Sequence, residues 1–258
     1  MHMRLNNVTL AHNGAVILKN VSIDLPPGCR LGLVGSSGAG KSTIISLLRR
    51  DLDPTAGEVL LDGQDLRGFS LRSVLPYIGG IPQTTQVLTG TVRENILHGL
   101  SRIDGVTDDA VWDVLDAVSP SFRTLFREDG LDTRVGKQGL RLSGGERQRL
   151  CVARSLIEHP QFQKRLYLID EATSALDSET EIIVQRGIDQ ALDKGMSAVV
   201  VTHRLSTLRG CNRFAYLRKA SDCDNNTPQV AAVCDSLGEL YEYLPEFRPM
   251  ADLQGISL

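Results

Sequence analysis

The chain's 258 residues, 41% hydrophobic and 23% charged, have the ordinary balance of a globular protein and suffice for one large α/β domain or a core with a subdomain. A net charge of −3 argues against nucleic acid as the main partner, and no apolar run nears the roughly 18 residues that span a bilayer, so the chain is expected to be soluble by itself. Five cysteines (Cys29, Cys151, Cys211, Cys223, Cys234), odd in number and without C-x-x-C spacing, point to reduced thiols rather than disulfides or a metal site.

Residues 5–25 alternate as strands do, through Val8 and Leu10 and then Val16, Leu18, Val21, Ile23 and Leu25, with Asn13-Gly14 as a hairpin turn. Pro26-Pro27-Gly28 closes that unit ahead of a buried strand near 30–34, and Ile44, Ile45, Leu47 and Leu48 repeat at helical spacing. A strand at 59–61 ends in the Asp62-Gly63 turn, and another is expected at 78–81. The early strands read as a small antiparallel layer beside a main sheet.

From Gln83 to about residue 140 the pattern turns helical: Val111, Val114, Leu115 and Val118 follow the N-cap candidate Thr107, with a second helix near 120–128. Residues 142–149 open the next helix, which stops at His159-Pro160. Leu166-Tyr167-Leu168-Ile169 reads as a strand buried on both faces. A helix introduced by a Ser178/Glu181 capping box and a strand at 198–201 follow. Segments 213–217 and 229–233 are expected to pair, a short helix to occupy 236–244, and the last ten or so residues to be irregular and mobile.

Residues 35–43 (Gly35, Ser36, Ser37, Gly38, Ala39, Gly40, Lys41, Ser42, Thr43) fit the phosphate-loop pattern G-x-x-x-x-G-K-[ST] between a strand and a helix. Such a loop aims backbone N–H groups and a helix N-terminus at phosphate oxygens. Lys41 is then the charge on the β- and γ-phosphates, and the Ser42 hydroxyl a Mg²⁺ ligand. Gln83, the Asp170-Glu171 pair and His203 also follow apolar runs, which predicts one functional edge of a parallel sheet. Asp170 is placed to hold Mg²⁺, and Glu171 to polarise an attacking water. Ser143-Gly144-Gly145 at a helix start makes a second anion-seeking surface, implying either two phosphates or two chains sharing each nucleotide.

With these residues in hand, the chain resembles the nucleotide-binding domain of an ATP-binding-cassette (ABC) transporter over about residues 5–245. Six motifs stand in the family's order: the phosphate loop at 35–43, Gln83, L-S-G-G at 142–145, the strand and Asp-Glu at 166–171, S-A-L-D at 174–177, and His203. The resemblance implies an α/β fold with a P-loop NTPase core and mainly parallel sheet, an N-terminal antiparallel β subdomain and a helical subdomain. The division expected is 1–83, the antiparallel layer and phosphate-loop half of the core; 84–141, the helical subdomain; 142–245, the other half; and 246–258, an irregular tail.

It further implies ATP and Mg²⁺ as cofactors and a head-to-tail pairing with a second nucleotide-binding domain, identical or different. Lys41, Ser42, Gln83, Asp170, Glu171 and His203 would act from one subunit, and Ser143, Gly144 and Gly145 from the other. Glu171 would be the general base and His203 a γ-phosphate contact; Ser42, Gln83 and Asp170 would face the metal, and Asp177 the nucleotide. Residues 81–96 and 133–136 are similar to exporter-type members, whose partner is a transmembrane domain, fused or separate, at the cytoplasmic face of a membrane. Where the family usually carries an aromatic that stacks on adenine, this chain has His12, and Lys137 replaces a usual Glu. Two alternative readings are a nucleotide-gated regulatory domain that hydrolyses weakly and a soluble, non-transport member of the family.

Overall fold

The Asn13-Gly14 dipeptide turns the chain with φ of +50° and +80°, the backbone twist that lets two long strands close as a hairpin. The computed structural model describes residues 1–83, 86–100, 102–171, 178–192, 195–224 and 227–255. The elements begin with β1 (Met3–His12), β2 (Ala15–Leu25), β3 (Arg30–Gly35), α1 (Lys41–Leu48), β4 (Ala56–Leu61), β5 (Gln64–Asp65), α2 (Leu71–Val74) and β6 (Ile78–Ile81). They continue as β7 (Gly90–Thr91), α3 (Val92–Leu97), α4 (Asp108–Val118), α5 (Phe122–Leu125), β8 (Arg134–Gly136), α6 (Gly144–Leu156) and β9 (Leu166–Asp170). The last are α7 (Ser178–Leu192), β10 (Ser197–Val201), β11 (Arg213–Leu217), β12 (Val230–Cys234), α8 (Leu237–Tyr243) and α9 (Arg248–Leu253). They form two units, one of residues 1–78, 165–170 and 195–258, the other of residues 79–164 and 171–194.

In the first unit, β2-β1-β4-β5 make an antiparallel sheet. The main sheet there runs β12-β11-β3-β10-β9, parallel except for β12. Its strands alternate in what they bury, as period two demands. Leu31, Leu33, Ala215 and Leu217 face one core cluster, together with Ile44, Leu47 and Leu48 of α1 and the antiparallel layer. Val34, Phe214 and Tyr216 face the other, with Leu240, Leu244, Phe247 and Ala251. Because β3, β9, β10 and β11 are parallel, the residues that follow them emerge at one edge.

The expected irregular tail is corrected here. Residues 248–253 form α9, and Phe247 and Ala251 are fully buried beneath it. Phe247, Met250 and Ala251 lie at i, i+3 and i+4, one helical stripe, and Pro249 stands in the first turn, where a missing N–H costs nothing.

In the second unit, α4 packs against α6 and α7, and α3 against α6. The buried faces are Val92 and Ile96, Val111, Leu115 and Val118, Leu150 and Ala153, and Val184 and Ile188. At Gly187 any Cβ would lie 2.6 Å from the Ala117 carbonyl oxygen, so α4 and α7 cross nearly backbone to backbone. Among the described residues, no helix is long and apolar enough to cross a membrane.

Candidate nucleotide site

Strand β3 delivers the phosphate loop at the carboxyl edge of the main sheet. Gly35 has φ +152°, and a Cβ there would stand 2.2 Å from the Leu217 carbonyl oxygen. Gly40, with φ +94°, caps α1, and its Cβ would meet Leu18 Cδ2 at 2.6 Å. Only glycine satisfies both the left-handed backbone and the close approach of the flanking strands. Lys41 is buried, and its Nζ donates to the carbonyl oxygens of Gly35 at 2.8 Å and Ser36 at 3.0 Å. The ammonium is thus held inside the curl of the loop, with two of its three donors on loop carbonyls. Ser36, Ser37, Gly38 and Ser42 are exposed at the mouth, Thr43 is half-buried, and Ala39 is fully buried behind them.

Asp170 ends β9 beside Val201 of β10, and its Oδ1 is shut away from solvent. The oxygen-only pair of Ser42 hydroxyl and Asp170 carboxylate suits a hard dication such as Mg²⁺, which takes one or two protein oxygens and keeps the rest for water and phosphate. Among the described residues, no group of three or more His, Cys, Asp or Glu gathers into a metal centre.

His203 follows β10 at the same edge and is exposed. Its turn is bracketed from the tail: Gln254 Nε2 donates to the His203 carbonyl at 2.8 Å, and Gln254 Oε1 accepts the Leu205 N–H at 2.8 Å. Sequence reasoning missed Gln254 because it treated the tail as irregular. His12 lies exposed at the end of β1, paired with Ala15 across the hairpin.

The second unit brings together two other predicted residues. Gln83 Nε2 donates to Glu171 Oε2 at 2.9 Å. Glu171 has φ +48°, a left-handed conformation that a glutamate seldom takes. Ser143 caps α6: its Oγ accepts the Glu146 N–H at 3.2 Å, while Glu146 Oε2 accepts the Ser143 N–H at 2.7 Å. That box fixes the helix start and leaves Ser143 and Gly144 exposed and Gly145 half-buried. Lys137 is exposed after Gly136. Asp177 and the rest of 172–177 lie outside the described residues.

A further node in this unit also went unread. Asn95 is fully buried; its Nδ2 donates to the Leu88 and Thr91 carbonyls, and its Oδ1 accepts the Leu88 N–H. Arg154 of α6 donates to Asn95 Oδ1, the Asn95 carbonyl and the Gln86 carbonyl, each at 2.7 Å. Burial draws the Arg154 pKa below its ordinary value. A buried Asn four residues after the capping Thr91 carries no periodic signal, which is why the sequence did not reveal it.

Comparison with known proteins matches this arrangement to a family. The family profile described as ABC transporter covers residues 18–174. This chain belongs to the ABC transporter family. A multidrug resistance ABC transporter ATP-binding and permease protein of Lactococcus lactis is 40% identical over 206 residues, covering 79% of this chain and 33% of that protein. ABC transporter B family member 1 of Arabidopsis thaliana is 42% identical over 205 residues, covering 80% of this chain and 15% of that one. The solved structure of a bacterial Atm1-family ABC exporter with ATP bound superposes with a TM-score of 0.84 at 30% identity, over 99% of this chain and 42% of that chain. This ABC chain therefore spans a third or less of the length of these curated relatives.

Proposed function

We propose that this ABC domain hydrolyses MgATP at the interface of two such domains closed head to tail, and that closure drives export by a transmembrane domain at the cytoplasmic face of a membrane. The observation that carries the reading is the buried Lys41 ammonium inside a loop whose edge also carries Asp170 and His203. The loop N–H groups, the N-terminus of α1 and Lys41 bind the triphosphate; Ser42 and Asp170 would hold a Mg²⁺, with Gln83 toward it. A Mg²⁺ held there offsets charge on the β- and γ-phosphate oxygens. Glu171 orients and deprotonates the attacking water, and His203 hydrogen-bonds the γ-phosphate. His12 stacks on the adenine, and Asp177 faces the nucleotide.

The exposed start of α6 supports the pairing. Ser143, Gly144 and Gly145 offer a hydroxyl and backbone donors to an anion approaching from outside, which a γ-phosphate bound to a second domain supplies. Binding energy available only in the closed state drives closure, and hydrolysis removes it. The test is phosphate release from MgATP by the chain and by Lys41→Ala. Turnover abolished in the variant supports the site; equal rates in both contradict it.

A further inference from the structure

A buried amide lies behind the phosphate loop. Gln229 precedes β12 and is 1% exposed. Its Oε1 accepts the Lys19 N–H at 2.7 Å, and since a backbone N–H can only donate, this contact fixes which way the amide faces. Its Nε2 then faces three carbonyls: Ile17 at 3.2 Å, Ala39 at 3.0 Å and Arg218 at 3.1 Å. One side chain thereby joins β2, the chain leaving β11, and the fourth variable residue of the phosphate loop.

The same two strands set the glycine contacts of that loop. A Cβ on Gly40 would strike Leu18 and approach the Ile17 carbonyl, and one on Gly35 would strike the Leu217 carbonyl. The loop therefore has no slack on either side. Ala39 itself has no polar side chain, so its carbonyl direction is set by what donates to it. The Arg218 N–H donates to the Gln229 carbonyl at 2.8 Å, joining the two ends of the 218–229 connection, and Lys19 Nζ donates to the Cys223 carbonyl within it at 3.2 Å.

We propose that Gln229 is a positioning residue for nucleotide binding: its amide orients the Ala39 carbonyl, and so the loop N–H groups that follow, from the β11–β12 connection. The inference rests on residues 35–43 being the phosphate loop. It makes the β11–β12 connection a determinant of ATP affinity through Gln229.

The experiment titrates MgATP against the 258-residue chain and its Gln229→Met, Gln229→Glu and Lys41→Ala variants, well below each melting temperature. Gln229→Met keeps the volume and loses both polar ends, and its ATP dissociation constant is expected to rise about tenfold. Gln229→Glu keeps the acceptor for Lys19 and regains a donor only when protonated. Its affinity relative to wild type should fall as pH rises from 5.5 to 8.5, a dependence that a purely structural role would not create. If Gln229→Met does not fold, this pH dependence decides. Affinities within twofold of wild type at every pH, with Lys41→Ala weakened, overturn the proposal alone. An unchanged Lys41→Ala overturns the phosphate-loop reading and the proposal with it.

Discussion

Gln83 donates to Glu171 across 2.9 Å while Glu171 is held at φ +48°. The left-handed region costs an ordinary side chain of order 1 kcal/mol, and such outliers persist where their surroundings over-determine them. Here the outlier is the residue proposed to activate water. Glu171→Asn, whose side chain tolerates that region, is expected to raise the melting temperature by about 2–4 °C. Phosphate release should fall at least about a hundredfold in the same variant, the loss expected when a general base is removed. Calorimetry beside a turnover assay checks both; a variant that is less stable than wild type contradicts the strain.

Two glycines separate loop geometry from pairing. A Cβ at Gly35 collides with the Leu217 backbone, whereas at Gly144 it meets nothing within 4 Å. Gly35→Ala should therefore destabilise the chain by about 2 kcal/mol or more and lose ATP binding. Gly144→Ala should keep or slightly raise stability, gaining up to about 1 kcal/mol of helix propensity. It should nevertheless lose ATP-dependent association, because the added methyl stands on the surface proposed to receive a second domain's phosphate. Full association by Gly144→Ala would count against that surface.

Much of this was legible before any coordinates. The strands were legible because each is a short apolar run ended by a turn, and Ile78–Ile81 and Arg213–Leu217 fall where the pattern puts them. The site edge was legible because strand ends carry Lys41's loop, Asp170 and His203. The misses have physical reasons. Helix α3 spans two turns, too short for a period to show, although Thr91 and Glu94 form the capping box that marks its start. Helix α9 and its N-cap turn only Phe247, Met250 and Ala251 inward, and that burial depends on β11, far away in sequence. The amides of Gln229 and Gln254 act through backbone carbonyls, which no residue pattern encodes.

The buried Asn95 and half-buried Arg154 hold residues 86–95 by six hydrogen bonds. Arg154→Lys cannot reproduce the three guanidinium contacts. It is expected to cost roughly 2–4 kcal/mol, nearly as much as Arg154→Ala, because buried acceptors lose their donors. Urea melts of both variants check this; a lysine variant close to wild type contradicts the fork geometry as the cause.

Lys164 is buried, with its Nζ donating to the Ser155 carbonyl at 2.7 Å. Desolvation draws its pKa down to about 8, against the attraction of Glu158. An unfolded lysine titrates near 10.4, so between those values the unfolded chain binds the extra proton and stability rises with pH. Below pH 8 both states are charged and the folded chain bears the whole penalty, roughly 3 kcal/mol at most. From pH 7 to 10 the slope of stability against pH should be more positive in the wild type than in Lys164→Met, since the thiols raised by burial lower both curves alike. The same slope in both would contradict the assignment.

The central claim is that two copies of the family's ATPase fold close on shared nucleotide through the start of α6. It is tested most directly by the solution mass of the Glu171→Gln chain with MgATP, measured by light scattering. The account predicts a doubled mass that returns to that of one chain when Ser143→Arg is added. A single-chain mass with saturating MgATP, or a doubled mass that survives Ser143→Arg, would contradict it.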